Sequence, residues 1–128
     1  MPAYQTFIRP DLYGHADRQA LSNDVMNIHC DVTGAPPSYV HAIFIEDPNL
    51  DSDVFVFASI RAGRTTAQKQ EIADRLTTRL VAHGADADRV SVTIRDVEAS
   101  WNMEGGTVMP EPGSTEEAAY LEAHHSSM

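Results

Sequence analysis

The chain repeats itself, and the repeat restricts its fold more than any other feature. A shift of about 50 residues places Gly34 on Gly84, Ala35 on Ala85, Val40 on Val90, Phe44 on Ile94 and Glu46 on Asp96. Each copy reads as strand–helix–strand. In the first, about 2–50, residues 4–9 alternate as a strand. Tyr4, Thr6 and Ile8 share one face, Gln5, Phe7 and Arg9 the other, and Pro10 ends the run. Leu21, Val25, Ile28 and Val32 recur at helical spacing, which predicts a helix over about 17–32. Gly34 supplies its stop, and Pro36-Pro37 bars continuation. Residues 40–46 form a second strand, apolar on both faces, as expected of a strand covered on both sides.

The second copy, about 51–97, follows the same plan, with strands at 54–60 and 89–96. Between them, Ile72, Leu76 and Leu80 stripe a helix over about 66–83. Thr65 and Gln68 form a capping box at its start, and Gly84 ends it. A strand–helix–strand unit closes with parallel strands and a right-handed crossover. Two such units side by side give an α/β (α+β) fold, a four-stranded sheet with both helices on one face. The other face stays bare and partly apolar, which association of several copies would cover. The 128 residues fit one domain. Residues 98–128 break the pattern with a loop or short hairpin (Trp101, Gly105, Gly106, Pro110, Pro112, Gly113), then a short helix over 114–125. Ser114 caps that helix, with Glu116 and Glu117 in its first turn. This tail is expected to wrap a neighbouring subunit or to fray.

Nine basic against nineteen acidic residues give a net charge of −10. That argues against nucleic acid and against anionic membrane surfaces as partners. It leaves room for a small anion held by a local pair of arginines. Seven of the nine basic residues (Arg61, Arg64, Lys69, Arg75, Arg79, Arg89, Arg95) crowd into 61–95. No apolar run approaches the roughly 20 residues of a membrane span. The lone Cys30 and the absence of a leader pattern are those of a cytoplasmic protein.

Chemistry enters at the chain's start. Met1 precedes a small residue, the context in which an initiator methionine is removed, and removal leaves Pro2 as a secondary amine. An α-amino group titrates at roughly 7.7–8.0 and a dry or cationic pocket lowers that, so Pro2 can move protons at neutral pH. Its alternative is a frayed terminus. Arg61 and Arg64 flank a strand-to-helix turn, where guanidinium groups and a helix N-terminus suit a carboxylate; two solvated loop arginines are the other reading. His29 stands beside the apolar stripe, a position as suited to a hydrogen-bonded core histidine as to a catalytic one. Glu104 lies in a glycine-flanked loop and taken alone reads as a surface residue. The six histidines lack metal-ligand spacing, and no phosphate-cradling glycine loop is present, so neither metal nor cofactor is expected.

Taken together in order, these features resemble the tautomerase superfamily, and within it the group of cis-3-chloroacrylic acid dehalogenase. Pro2 and Tyr4 match the amino-terminal proline and the aromatic residue two places on. His29 with Val32-Thr33-Gly34 matches the end of the first helix, and Arg61-Ala62-Gly63-Arg64 matches the arginine pair. Met103-Glu104-Gly105-Gly106 and the following 108–113 match the late loop that carries a water-activating glutamate. The resemblance spans roughly 2–113 and implies a homotrimer acting on a small carboxylate. It implies Pro2, His29, Arg61, Arg64 and Glu104 as catalytic residues, with Tyr4, Thr33 and Thr93 joining His29 and the arginines around the substrate. Thr93 stands where the dehalogenase has a tyrosine that assists the attacking water. The resemblance therefore implies keto–enol tautomerisation through Pro2, with hydration or dehalogenation weakened. Haloacrylate dehalogenation proper and a catalytically idle trimeric binding module are the alternatives.

Overall fold

The first strand, β1 (Ala3–Ile8), runs through the middle of the sheet. In the computed structural model, which describes residues 2–111 and 113–125, Tyr4, Thr6 and Ile8 are buried while Gln5 is exposed. Met1, whose expected removal would free the Pro2 nitrogen, lies outside the described residues, as do Pro112 and 126–128. Helix α1 (His15–Thr33) leads to β2 (His41–Glu46), which pairs parallel with β1. Strand β3 (Val54–Arg61), helix α2 (Thr66–Ala82) and β4 (Val90–Val97) repeat that unit, with β4 parallel to β3. The two units join through β1 and β3, which are antiparallel, giving the order β2-β1-β3-β4. A two-residue-per-strand hairpin, β5 (Met103–Glu104) and β6 (Thr107–Val108), and helix α3 (Thr115–His125) follow.

Both helices cover one sheet face. Leu21, Val25 and Ile28 of α1 and Ile72, Leu76 and Leu80 of α2 pack on Tyr4, Ile8, Val54, Val56, Ala58 and Ile60. These are the stripes that the sequence periodicity marks. Helix α1 begins two residues before the expected Asp17, because the Asp17 carboxylate accepts from Gly14 N at 3.3 Å and so belongs to the first turn. The Thr65–Gln68 capping box is present in both directions, at 3.0 and 2.8 Å. Among the described residues no helix is long and apolar enough to cross a membrane.

Strand β2 departs from expectation. It is an edge strand rather than one covered on both sides, and its Ile43 is 49% exposed. Its second apolar face belongs to the bare side of the sheet. There the Phe7 and Phe55 rings stack at 6.1 Å, Phe57 meets Phe55 edge-on at 6.5 Å, and the Arg95 guanidinium lies 5.9 Å from the Phe57 ring centre. The apolar character of 40–46 thus reports two faces with different fates.

At the far end of the sheet, buried Asp53 ties the halves together. Its carboxylate accepts from Arg9 Nε and Arg89 Nε, both at 3.1 Å, and from Asp86 N at 2.9 Å. The Asp86 amide first, then the two arginines, hold its pKa below the ordinary 3.8. A depressed carboxylate contributes stability that is present above its unfolded pKa and lost as pH falls through the folded value. Asp53→Asn is therefore expected to lower unfolding free energy by about 1–3 kcal/mol at pH 7. Denaturant titrations should show the deficit shrinking as pH drops below 3.8.

Candidate active site

The antiparallel register places Ala3 opposite Ser59, so the head of β1 lies beside the tail of β3. Pro2 heads β1 and Arg61 ends β3. The turn after β3 carries Arg64 to the start of α2. Pro2 is buried, and its carbonyl accepts from His41 N at 3.0 Å. From the other side, the last turn of α1 contributes His29 and Thr33.

That last turn is fastened to the start of α2. The carbonyls at a helix C-terminus lack intrahelical partners. Here Val32 O accepts from Gln68 Nε2 at 3.2 Å and Thr33 O from Arg64 Nη1 at 3.4 Å. The Thr33 hydroxyl donates to His29 O at 2.7 Å and accepts from Ala35 N at 3.2 Å. Gly34 then reverses the chain at φ 77°, a left-handed value that glycine adopts without a Cβ clash. Pro36 and Tyr39 follow as a wall. Pro2, His29, Thr33, Arg61 and Arg64 accordingly line one cavity of about 150 Å³, closed by Met109, Pro110, Glu117 and Tyr120.

His29 is 2% exposed, and its Nδ1 lies 2.8 Å from the Tyr4 hydroxyl. Burial, then the Arg64 charge, lowers its pKa to about 4, so the ring is neutral at pH 7. Burial raises the Tyr4 phenol above its usual range, so it keeps its proton. The buried hydroxyl needs an acceptor and Nδ1 supplies it, which places the imidazole proton on Nε2. His29 thus serves the cavity as a neutral donor. Tyr4 does not line the cavity; it acts through His29, as a positioning residue behind the ring.

Arg61 and Arg64 both lose some basicity to burial, and Arg64 also to Arg61 beside it. Both remain cations at neutral pH. Arg64 Nε is buried with no hydrogen-bond partner among the described residues. Arg61 forms an ion pair with Glu117 of α3. Glu104, in β5, stands outside the lining; its Oε2 accepts from the hydroxyl of Tyr120, a lining residue, at 3.2 Å. Thr93 pairs with Phe57 on the bare sheet face, away from the cavity of its own protomer. Sequence reasoning did not single out Tyr39, Tyr120 or Glu117 as site residues. Glu117 carried a signal, an acidic residue early in a helix, but only the α3 packing shows what it faces.

No protein-family model matches the chain, and no curated protein does. Solved structures do. Native Ps01740 is 33% identical, with TM-score 0.75 over 80% of this chain and 99% of its own. N1, described as a member of the cis-3-chloroacrylic acid dehalogenase family, is 24% identical, with TM-score 0.82 over 98% of this chain and 99% of its own. The F6 fused 4-OT, described as an asymmetric trimer, is 20% identical, with TM-score 0.73 over 83% of this chain and 94% of its own.

Two outcomes follow for His29. Its ring is expected to stay neutral down to about pH 4 in a 15N NMR titration. Because the unfolded chain binds a proton near 6.5 that the folded chain refuses, stability should fall as pH drops from 6.5 toward 4. Tyr4→Phe removes the group that fixes the tautomer, and the same spectra should then show a mixture of Nδ1–H and Nε2–H forms. A spectrum unchanged from wild type would detach Tyr4 from that role.

Proposed function

The chain belongs to the tautomerase superfamily and has the fold of its cis-3-chloroacrylic acid dehalogenase group, and on that footing we propose that it is a tautomerase acting on small 2-oxo carboxylates. The observation that carries this reading is the meeting of Pro2, His29, Arg61 and Arg64 on one cavity. With Met1 removed, the Pro2 nitrogen is a secondary amine with a lone pair. Cationic neighbours favour its neutral form, which is the basic one. In the ketonisation direction the nitrogen takes the proton of the enol oxygen and returns one to the adjacent carbon. Arg64, with Arg61 beside it, holds the substrate carboxylate. His29 Nε2–H donates to the oxygen on which charge develops, and does so without bringing a charge of its own.

Water attack on an unsaturated acid is the second reading, and the geometry favours it less. It needs a carboxylate to activate water; Glu104 does not line the cavity, and Glu117, which does, is paired with Arg61. Thr93, too, stands on the opposite sheet face from the helices. The apolar bare face, with Phe7, Phe55, Phe57 and half-exposed Ile43, supports a homo-oligomer, of which a trimer is the form proposed.

Ketonisation of phenylenolpyruvate, followed by ultraviolet absorbance, tests the assignment on protein whose mass confirms Pro2 as its first residue. A positioned acid–base group contributes about 10²–10⁴-fold. Pro2→Ala is therefore expected to lower kcat/KM by at least about 100-fold. Equal rates for the two proteins would refute proline catalysis and leave a binding module.

A further inference from the structure

Helix α3 brings an acid into a cavity whose other charges are basic. Glu117 forms an ion pair with Arg61, and its other carboxylate oxygen accepts from Gly113 N at 2.8 Å. Its backbone N–H donates to the Ser114 hydroxyl at 2.9 Å, which fixes the first turn of α3. Both side chains are largely withdrawn from solvent, Arg61 at 22% and Glu117 at 14% exposure. The carboxylate is therefore held from two sides, by a cation ahead of it and by a backbone amide behind it.

The charge count of the cavity follows. Arg61 and Glu117 cancel, and His29 is neutral. Among the described lining residues, Arg64 is left as the uncompensated cation, with a buried Nε that has no partner among them. We propose that Glu117 is a specificity-determining residue, a resident anion on Arg61 that makes the cavity accept monocarboxylates and reject dicarboxylates. A first carboxylate finds Arg64. A second one on the same small molecule finds Arg61 already neutralised and meets the Glu117 anion within a cavity too small to separate them. Like charges brought together where water is scarce discriminate strongly between ligands of the same shape. The remaining wall, Tyr39, Tyr120, Met109 and Pro110, offers an uncharged tail an apolar surface. This inference takes the carboxylate site of the preceding section as given.

The test compares two acids of one shape, crotonate and fumarate, in which a methyl group is exchanged for a second carboxylate. Binding is measured by isothermal titration calorimetry at fixed pH and ionic strength, on protein beginning at Pro2. Wild type should bind crotonate at least about tenfold more tightly than fumarate. Glu117→Gln keeps the size and removes the charge. It should narrow that ratio by at least about tenfold, because the freed Arg61 charge attracts the dianion more strongly than the monoanion. Glu117→Ala should do the same, and retained crotonate binding certifies that each variant is folded. A ratio that stays the same in both variants would overturn the role of Glu117. Should Arg64→Ala still abolish crotonate binding in that case, the carboxylate site itself would stand. Failure of wild type to bind either acid would overturn the carboxylate site, and this inference with it.

Discussion

The antiparallel pairing of β1 with β3 is the contact from which the candidate site follows. Each half of the chain forms a parallel strand pair under its own helix, and the cavity draws on both, with Pro2, His29 and Thr33 from the first and Arg61 and Arg64 from the second. Pairing the two first strands head to tail sets the start of one half against the end of the other's strand. That brings Pro2, the head of β1, to the strand end that carries Arg61, with Ala3 opposite Ser59 as the nearest paired position. A slip by one residue would turn Tyr4, Thr6 and Ile8 out of the core and Gln5 into it. Burial of these alternating side chains therefore fixes the register, and the register fixes the distance between an amine and a guanidinium.

A second constraint comes from the helix ends. The C-terminal carbonyls of α1 need donors, and the N-terminal segment of α2 provides Gln68 and Arg64. A structural need, the capping of one helix by the start of another, thus positions the cation of the cavity beside His29. The same closeness depresses the basicity of His29, after burial has done most of that, and keeps the ring a neutral donor. Tyr4 completes the arrangement from inside the core, so that the tautomer of a cavity residue is decided by a side chain the cavity never reaches.

The sequence made the repeat legible because each stripe, Leu21-Val25-Ile28 and Ile72-Leu76-Leu80, meets a sheet face that burial selects strongly. It made Pro2, His29 and the arginine pair legible through their order along a family pattern. Other features are set by contacts with no local signature. Nothing in 40–46 distinguishes an edge strand with one bare face from a central one, since both read as apolar throughout. Tyr4 looks the same in sequence whether its ring faces a substrate or a histidine. Glu104 and Glu117 are alike as acidic residues near glycine, and the packing of α3 decides which of them reaches the cavity. The glycines and prolines of the late segment mark a loop or short hairpin, and it forms the β5–β6 hairpin; which of its neighbours reach the cavity depends on α3, a helix with a weak apolar stripe.

Catalysis by this chain requires one geometry: a free imino nitrogen and a carboxylate-binding guanidinium facing the same small molecule. A crystal structure of the protein beginning at Pro2, with phenylpyruvate bound, measures that directly. A carboxylate oxygen is expected within hydrogen-bond distance of Arg64, with the CH2 carbon next to the ketone about 3–3.5 Å from the Pro2 nitrogen. A ligand whose carboxylate lies away from Arg64, or a Pro2 nitrogen directed out of the cavity, would contradict it.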